Sequence, residues 1–265
     1  MGDSVMRDST VRSHYESAER AITAMRTGLD RPMTLRQLAR IGFASPYHFN
    51  RTFRQVTGVP PLQFFYALRL DAAKRMLTET QKKVIDICYE VGYRSVGTFT
   101  RRFANVLGVP PVRYRKLTNG RNRPASRKKI YGSTIQNGYS GASVAGNVST
   151  PRNFDGYVAV GLFTTRIPQG KPIACTVIKG SGVYQMDDAP EGDFYLFAVA
   201  LESPPDLSVY FDYGSAMRAG GQRIRIHGSS VQGRTTLELR PPSPFDPPLL
   251  FMLSAQDVSY HLPKF

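Results

Sequence analysis

The chain carries one motif twice, fifty residues apart. Arg40-Ile41-Gly42-Phe43-Ala44-Ser45, Phe49-Asn50-Arg51-Thr52-Phe53 and Thr57-Gly58-Val59-Pro60-Pro61 form the first copy. Glu90-Val91-Gly92-Tyr93-Arg94-Ser95, Phe99-Thr100-Arg101-Arg102-Phe103 and Leu107-Gly108-Val109-Pro110-Pro111 form the second. Composition alone does not place Gly, Ser, two Phe, Arg and Gly-Val-Pro-Pro in the same register twice. A solenoid needs about three repeats or more, so two copies make a paired unit. Each copy has the form of a helix, a turn at Gly42 or Gly92, and a second helix opened by Ser45 or Ser95 as N-cap. Gly42 serves either a close helix approach or a positive φ. Two helix-turn-helix units in tandem point to double-stranded DNA.

The charge is distributed as that reading requires. Residues 1–130 hold 25 Lys/Arg and 9 Asp/Glu, whereas residues 131–265 hold 10 and 11. The whole excess of +15 therefore lies in the half with the repeats, the footprint of a nucleic-acid binder. Helix-surface solvation alone would spread it over both halves. The two cysteines, Cys88 and Cys175, lie in different halves, which excludes a disulfide framework and a C-x-x-C metal site. Cys88 falls on an apolar helix face with Val84 and Ile85. Met1 to Arg12 has no apolar stretch resembling a signal peptide, and no window is long and apolar enough for a membrane span, so the expected location is the cytoplasm.

Helical spacing covers residues 11–29, with Tyr15, Ala18, Ile22 and Met25 on one face. Thr34 caps a short helix carrying Leu35, Leu38 and Ala39. The next helix runs from Pro46 to about Val56 and buries Phe49, Phe53 and Val56. Pro46 suits a first helical position. Pro60-Pro61 stop it and start a long helix from Leu62 to about Leu77, buried on one side only, which joins the two motifs. Lys83 to Glu90 and Val96 to Leu107 form the second unit, stopped at Pro110-Pro111. The helix-turn-helix units occupy about 36–57 and 84–107.

With these residues in place, the segment from about His14 to Lys116 resembles the DNA-binding domain of AraC/XylS-type transcriptional regulators. The signature run is Ile85-Asp86-Ile87, Val91-Gly92-Tyr93, Ser95, Phe99-Thr100-Arg101-Arg102-Phe103, Gly108-Val109-Pro110-Pro111 and Tyr114-Arg115. The resemblance covers under half of the chain. It implies an all-α, homeodomain-like tandem helix-turn-helix domain whose two recognition helices enter successive major-groove segments, so that one monomer reads two half-sites.

Recognition helices offer their N-terminal outward positions to base edges. In the first unit these are Tyr47, Asn50 and Arg51. Asn reads adenine and Arg reads guanine bidentately, each worth roughly 1–3 kcal/mol of discrimination. Arg51 has a phosphate contact as its alternative. In the second unit the matching positions are Val96, Gly97, Thr100 and Arg101. Val96 and Gly97 offer no side-chain hydrogen bond, so the first helix is expected to supply most of the discrimination. Phosphate contacts are expected from His48, Arg54, Arg94, Arg102, Arg113 and Arg115. A basic run from Arg113 through Arg121, Arg123, Arg127, Lys128 and Lys129 reads as a flexible arm on phosphate or as a solvated linker.

The second half changes character. Ile130 to Pro151 holds no charge and is rich in Gly, Ser and Asn. Short β-type runs follow at Ser143–Val148, Tyr157–Thr164, Ile173–Ile178, Gly182–Met186, Phe194–Leu201, Ser208–Phe211, Arg223–His227, Thr235–Leu239 and Leu250–Leu253, which suggest an antiparallel β-sandwich. The order of turn glycines and strands from Ile167 to Leu196 more loosely resembles transthyretin-like or carboxypeptidase-regulatory sandwiches. His227 and His261 lack metal spacing, Cys175 lacks an adjacent base and reads as core, and Ala219-Gly220-Gly221 lacks a phosphate-loop pattern. Asp187, Asp188, Glu191 and Asp193 cluster in one loop and read as an acidic solvated turn rather than a cation site.

The sequence thus predicts a multidomain chain. Residues 1–13 are an N-terminal tail, 14–117 an AraC/XylS-type DNA-binding domain, 118–142 a basic then Gly/Ser-rich linker, and 143–265 a β-sandwich for effector sensing, oligomerisation or protein contact. The expected function is sequence-specific regulation of transcription, without enzymatic activity or cofactor. Double-stranded DNA, RNA polymerase, a small-molecule effector and a second copy of the chain are the expected partners, and a membrane is not. The alternatives are a non-specific architectural DNA binder, or a β-domain with a ligand-binding or enzymatic role.

Overall fold

A computed structural model describes residues 2–119, 141–152, 154–201, 214–252 and 259–260. The linker over 120–140, the predicted strand Ser208–Phe211 and His261 lie outside the described residues. The chain divides into two compact units, Met1–Arg102 with Ser243–Pro248, and Phe103–Pro242 with Leu249–Phe265.

Among the described residues seven helices come first: α1 (Gly2–Thr27), α2 (Leu35–Ile41), α3 (Pro46–Thr57), α4 (Pro61–Glu79), α5 (Val84–Glu90), α6 (Val96–Leu107) and α7 (Pro111–Asn119). Helix α1 begins well before the predicted residue 11, because no proline or glycine beyond Gly2 interrupts its polar first turns. It buries Ala18, Ala21, Ile22 and Met25, while Tyr15 is left largely exposed, contrary to the predicted face. Thr34 forms a reciprocal capping box with Gln37, which fixes the start of α2.

The turn glycines of the two copies behave differently. Gly42 has φ −77°, and a Cβ there would stand 2.6 Å from Ser17 Oγ and 2.8 Å from Phe49 Cε2. Close approach is therefore its reason. The left-handed residue is instead Phe43, at φ 56°, whereas in the second copy Gly92 takes φ +78°. Phe43 consequently points to solvent, and its counterpart Tyr93 is buried.

Gly-Val-Pro-Pro has one physical role in both copies. Gly58 and Gly108 close α3 and α6 in the left-handed region at φ 79°, donating to the carbonyls of Arg54 and Ala104. The second proline then opens the following helix. Pro110-Pro111 thus follow the end of α6, as expected, and also start α7. Arg113, Arg115 and Lys116 stand on a helix, which corrects their assignment to a flexible arm.

Helix α4 departs from one-sided burial. It packs against α1, α2, α3 and α5, so Phe64, Phe65, Leu68, Leu70, Ala73 and Leu77 are buried around its circumference, with Arg69 and Lys74. Lys74 meets Asp71 at 3.4 Å. On α5 the buried pair is Ile87 and Cys88, while Ile85 is exposed. On α3 the buried residue of the last turn is Thr57 rather than Val56.

The β-rich region has eleven strands among the described residues: β1 (Ala142–Ser149), β2 (Tyr157–Phe163), β3 (Gln169–Gly170), β4 (Ala174–Lys179), β5 (Gly182–Ala189), β6 (Gly192–Leu201), β7 (Arg218–His227), β8 (Ser230–Gln232), β9 (Leu237–Glu238), β10 (Leu250–Phe251) and β11 (Ser259–Tyr260). Six of them form a sheet ordered β11-β4-β2-β6-β7-β8, three form β5-β1-β9, and β10 pairs with β3. The predicted all-antiparallel pattern fails at β1–β9, β3–β10 and β4–β11, which are parallel: β9 and β11 are short strands added at sheet edges, and β3 and β10 form a two-stranded sheet of their own. Val144, Val148, Tyr184 and Met186 of the smaller sheet share a core with Val158, Val160, Leu162, Leu196 and Ile224 of the larger. The other face of the large sheet buries Ala159, Phe163, Val177, Val199, Leu249 and Phe251. Cys175 is half-buried beside that second cluster, less enclosed than a core residue.

Candidate nucleic-acid interface

Side-chain and backbone capping opens α3 and α6 in the same way. Ser45 Oγ accepts from the His48 amide at 3.4 Å, and Ser95 Oγ from the Thr98 amide at 3.4 Å. Phe49 and Phe53 of α3, and Phe99 and Phe103 of α6, are buried. That inward stripe turns the intervening positions outward. Tyr47, His48, Asn50, Arg51 and Arg54 are all exposed on α3, Tyr47 at 82%. On α6, Gly97 and Arg101 are exposed, and Val96 and Thr100 are half-buried. A Cβ at Gly97 would meet only Ser95 Oγ, at 3.8 Å, so that face of the helix is bare backbone.

The predicted phosphate set separates into different environments. Arg54, Arg94 and Arg113 are exposed. Arg102 is exposed too, but its guanidinium stacks over Tyr66 at 4.1 Å. Arg115 is half-buried with Nη2 screened from solvent, which places it poorly for phosphate. His48 does not cap α3 with its side chain, since Ser45 has that role. Its ring meets His14 of α1 edge-on at 5.5 Å. Burial, then the neighbouring His48 and Arg51, hold His14 below the ordinary value of 6.5.

Two groups here escaped the sequence reading. Phe43 is 82% exposed beside the start of α3, with the Arg20 guanidinium 4.8 Å from its ring centroid. Arg69 is enclosed beneath Gly92 and Tyr93. Its position on a helix assumed to be half-wet concealed it, although an Arg flanked by Ala67, Leu68, Leu70 and Ala72 is a readable signal.

The β-rich region accounts for its charged and glycine-rich motifs structurally. Asp187 and Asp188 lie in β5 and Asp193 in β6, so the acidic cluster runs over two consecutive strands of different sheets rather than one loop. Asp193 accepts from Arg223 at 3.2 and 3.0 Å and from Arg225 at 3.1 Å, and these hydrogen bonds hold its carboxyl below the usual range. Glu191 accepts from the Gly228 amide and lies 3.9 Å from His227. Gly220-Gly221 makes the bulge of β7 opposite Leu196 and Phe197, where a Cβ on Gly220 would stand 2.4 Å from the Leu196 carbonyl oxygen. An apolar cleft includes Ala159, Phe163, Pro172, Cys175 and Phe197 in its lining, which has no charged side chain.

Comparison with known proteins bears on the helical segment. A family model described as "Helix-turn-helix domain" matches residues 38–117. The bifunctional transcriptional activator/DNA repair enzyme AdaA of Bacillus subtilis is 40% identical over 60 residues, which cover 23% of this chain and 28% of that protein. The HTH-type transcriptional regulator GlxA of Rhizobium meliloti is 32% identical over 69 residues, covering 26% of this chain and 21% of that protein. The chain thus spans 28% and 21% of the length of these curated relatives. Among solved structures, the DNA-binding domain of AdpA, a global transcriptional factor in complex with a target DNA, is 26% identical at a TM-score of 0.39, over 40% of this chain and 96% of that one. By that match, residues 38–117 are a helix-turn-helix segment.

Proposed function

We propose that the chain is a transcriptional regulator that binds specific double-stranded DNA through residues 14–117. The observation that carries this reading is the pair of matched, serine-capped helices, with Tyr47, Asn50 and Arg51 exposed on one and Gly97 and Arg101 on the other, in the half of the chain that holds the entire charge excess. Lys and Arg contacts to phosphate supply affinity, and salt weakens them through counterion release. Asn50 and Arg51 supply most of the sequence preference, with Tyr47 and Arg101 adding to it. Helix α6, bare at Gly97, approaches the groove closely and is anchored by Arg101. The β-rich region, a two-sheet sandwich in this reading, serves effector response, oligomerisation or contact with another protein such as RNA polymerase.

In vitro selection from random duplex DNA with the full chain, at near-physiological salt, tests the reading. The expected result is an enriched motif of two half-sites about one helical turn apart. Arg51→Ala then relaxes preference at one position, by roughly 1–3 kcal/mol. Binding without enrichment, lost as salt is added, would instead make the protein an architectural backbone binder.

A further inference from the structure

We infer that Arg69 is a positioning residue that fixes the second recognition helix relative to the first and so sets the half-site spacing the protein accepts. The inference rests on the two-helix DNA reading above. Arg69 lies in α4 and is 5% exposed. Its Nη2 donates to the Arg31 carbonyl at 2.7 Å, in the segment that leads from α1 into the first motif. Its guanidinium carbon stands 4.4 Å from the Phe65 ring centroid, 5.9 Å from that of Tyr66 and 6.0 Å from that of Tyr93.

The turn of the second motif presses on the same group. A Cβ at Gly92 would stand 2.4 Å from Arg69 Nη2 and 2.3 Å from the Leu29 carbonyl oxygen. Arg102, on the second recognition helix, stacks over the opposite partner of the cluster, Tyr66, at 4.1 Å. One side chain therefore joins the lead-in to the first motif, the connecting helix and the turn that aims the second recognition helix. Filling this volume needs only an apolar side chain, which would avoid desolvating a charge. A planar guanidinium adds a directional hydrogen bond while it stacks on rings, and it thereby specifies one arrangement of the three segments.

The test uses Arg69→Met and Tyr66→Leu in the full chain. The probes are the duplex enriched by the parent and derivatives with one base pair inserted or removed between the half-sites. One base pair rotates the distal half-site by about 35° and moves it about 3.4 Å. The parent is expected to lose about tenfold or more on either derivative, and the variants less than about threefold, with a single half-site bound equally by all. Variants that keep the parent's penalty, or that lose affinity equally for every probe, overturn the inference alone. A parent that enriches no two-half-site duplex overturns the DNA reading and this inference with it. Tyr66 is half-buried, so Tyr66→Leu carries the test if Arg69→Met does not fold.

Discussion

Gly92 and Gly97 show that one residue type in one motif answers to opposite physics. Gly92 has φ +78° and no room for a methyl group, so Gly92→Ala combines left-handed strain with a clash against the Leu29 carbonyl. We expect it to cost about 2–4 kcal/mol, read as a lower urea midpoint at unchanged m-value. Gly97 sits in open space inside a helix, so Gly97→Ala should gain about 0.5–1 kcal/mol and raise Tm. If α6 approaches DNA through bare backbone, the same variant binds the selected duplex more weakly while melting higher. His14 supplies a pH test. Its folded pKa lies below 6.5, so the unfolded state takes up the proton first as pH falls. His14 therefore contributes nothing above 6.5 and destabilises progressively as pH drops below that value. Urea titrations between about pH 5 and 7.5 should show stability rising with pH, and His14→Gln should flatten part of that rise.

At the scale of elements, the caps hold α3 and α6 in place. Ser45→Ala should cost about 1 kcal/mol and Ser45→Gly a few tenths, because only a side-chain oxygen or a bare backbone serves the first turn of α3 well; thermal denaturation of both variants distinguishes capping from a mere loss of volume. Such local chemistry was legible in the sequence. Thr34, Ser45, Pro46 and the repeated Gly-Val-Pro-Pro give α2, α3 and α6 almost to the residue, and Phe49, Phe53, Phe99 and Phe103 give the inward face. What stayed hidden depends on neighbours. Pro111 looks like a stop until it is aligned with Pro61, which opens α4 in the first copy. Phe43 and Tyr93 occupy the same repeat position, yet the left-handed residue shifts by one between copies and turns one ring out and the other in. Periodicity could not foresee that α4 would be enclosed by four helices, nor that Arg69 would lie inside. In the β-rich region, alternation located the long strands, while parallel partners such as β9 and β10 are two residues long and carry no period to read.

For the whole molecule, the division of charge decides which arginines govern salt dependence. Residues 1–130 carry 25 Lys/Arg against 9 Asp/Glu, so in the proposed DNA-binding role long-range attraction comes from that half. Within it, an arginine counts only if its guanidinium is available. Arg54 and Arg113 are exposed, and Arg102 is held over Tyr66. In the β-rich region Arg223 and Arg225 share Asp193, which cancels part of their field locally. Each phosphate neutralised contributes about 0.9 to the slope of log K against log salt. Arg54→Gln and Arg113→Gln should therefore each flatten that slope by about 0.9, uniformly across DNA sequences. Arg225→Gln should leave it unchanged, although it removes the same formal charge. Fluorescence anisotropy on the selected duplex, at several salt concentrations, measures all three. Equal flattening by Arg225→Gln would mean that net charge, rather than the helical face, sets the affinity.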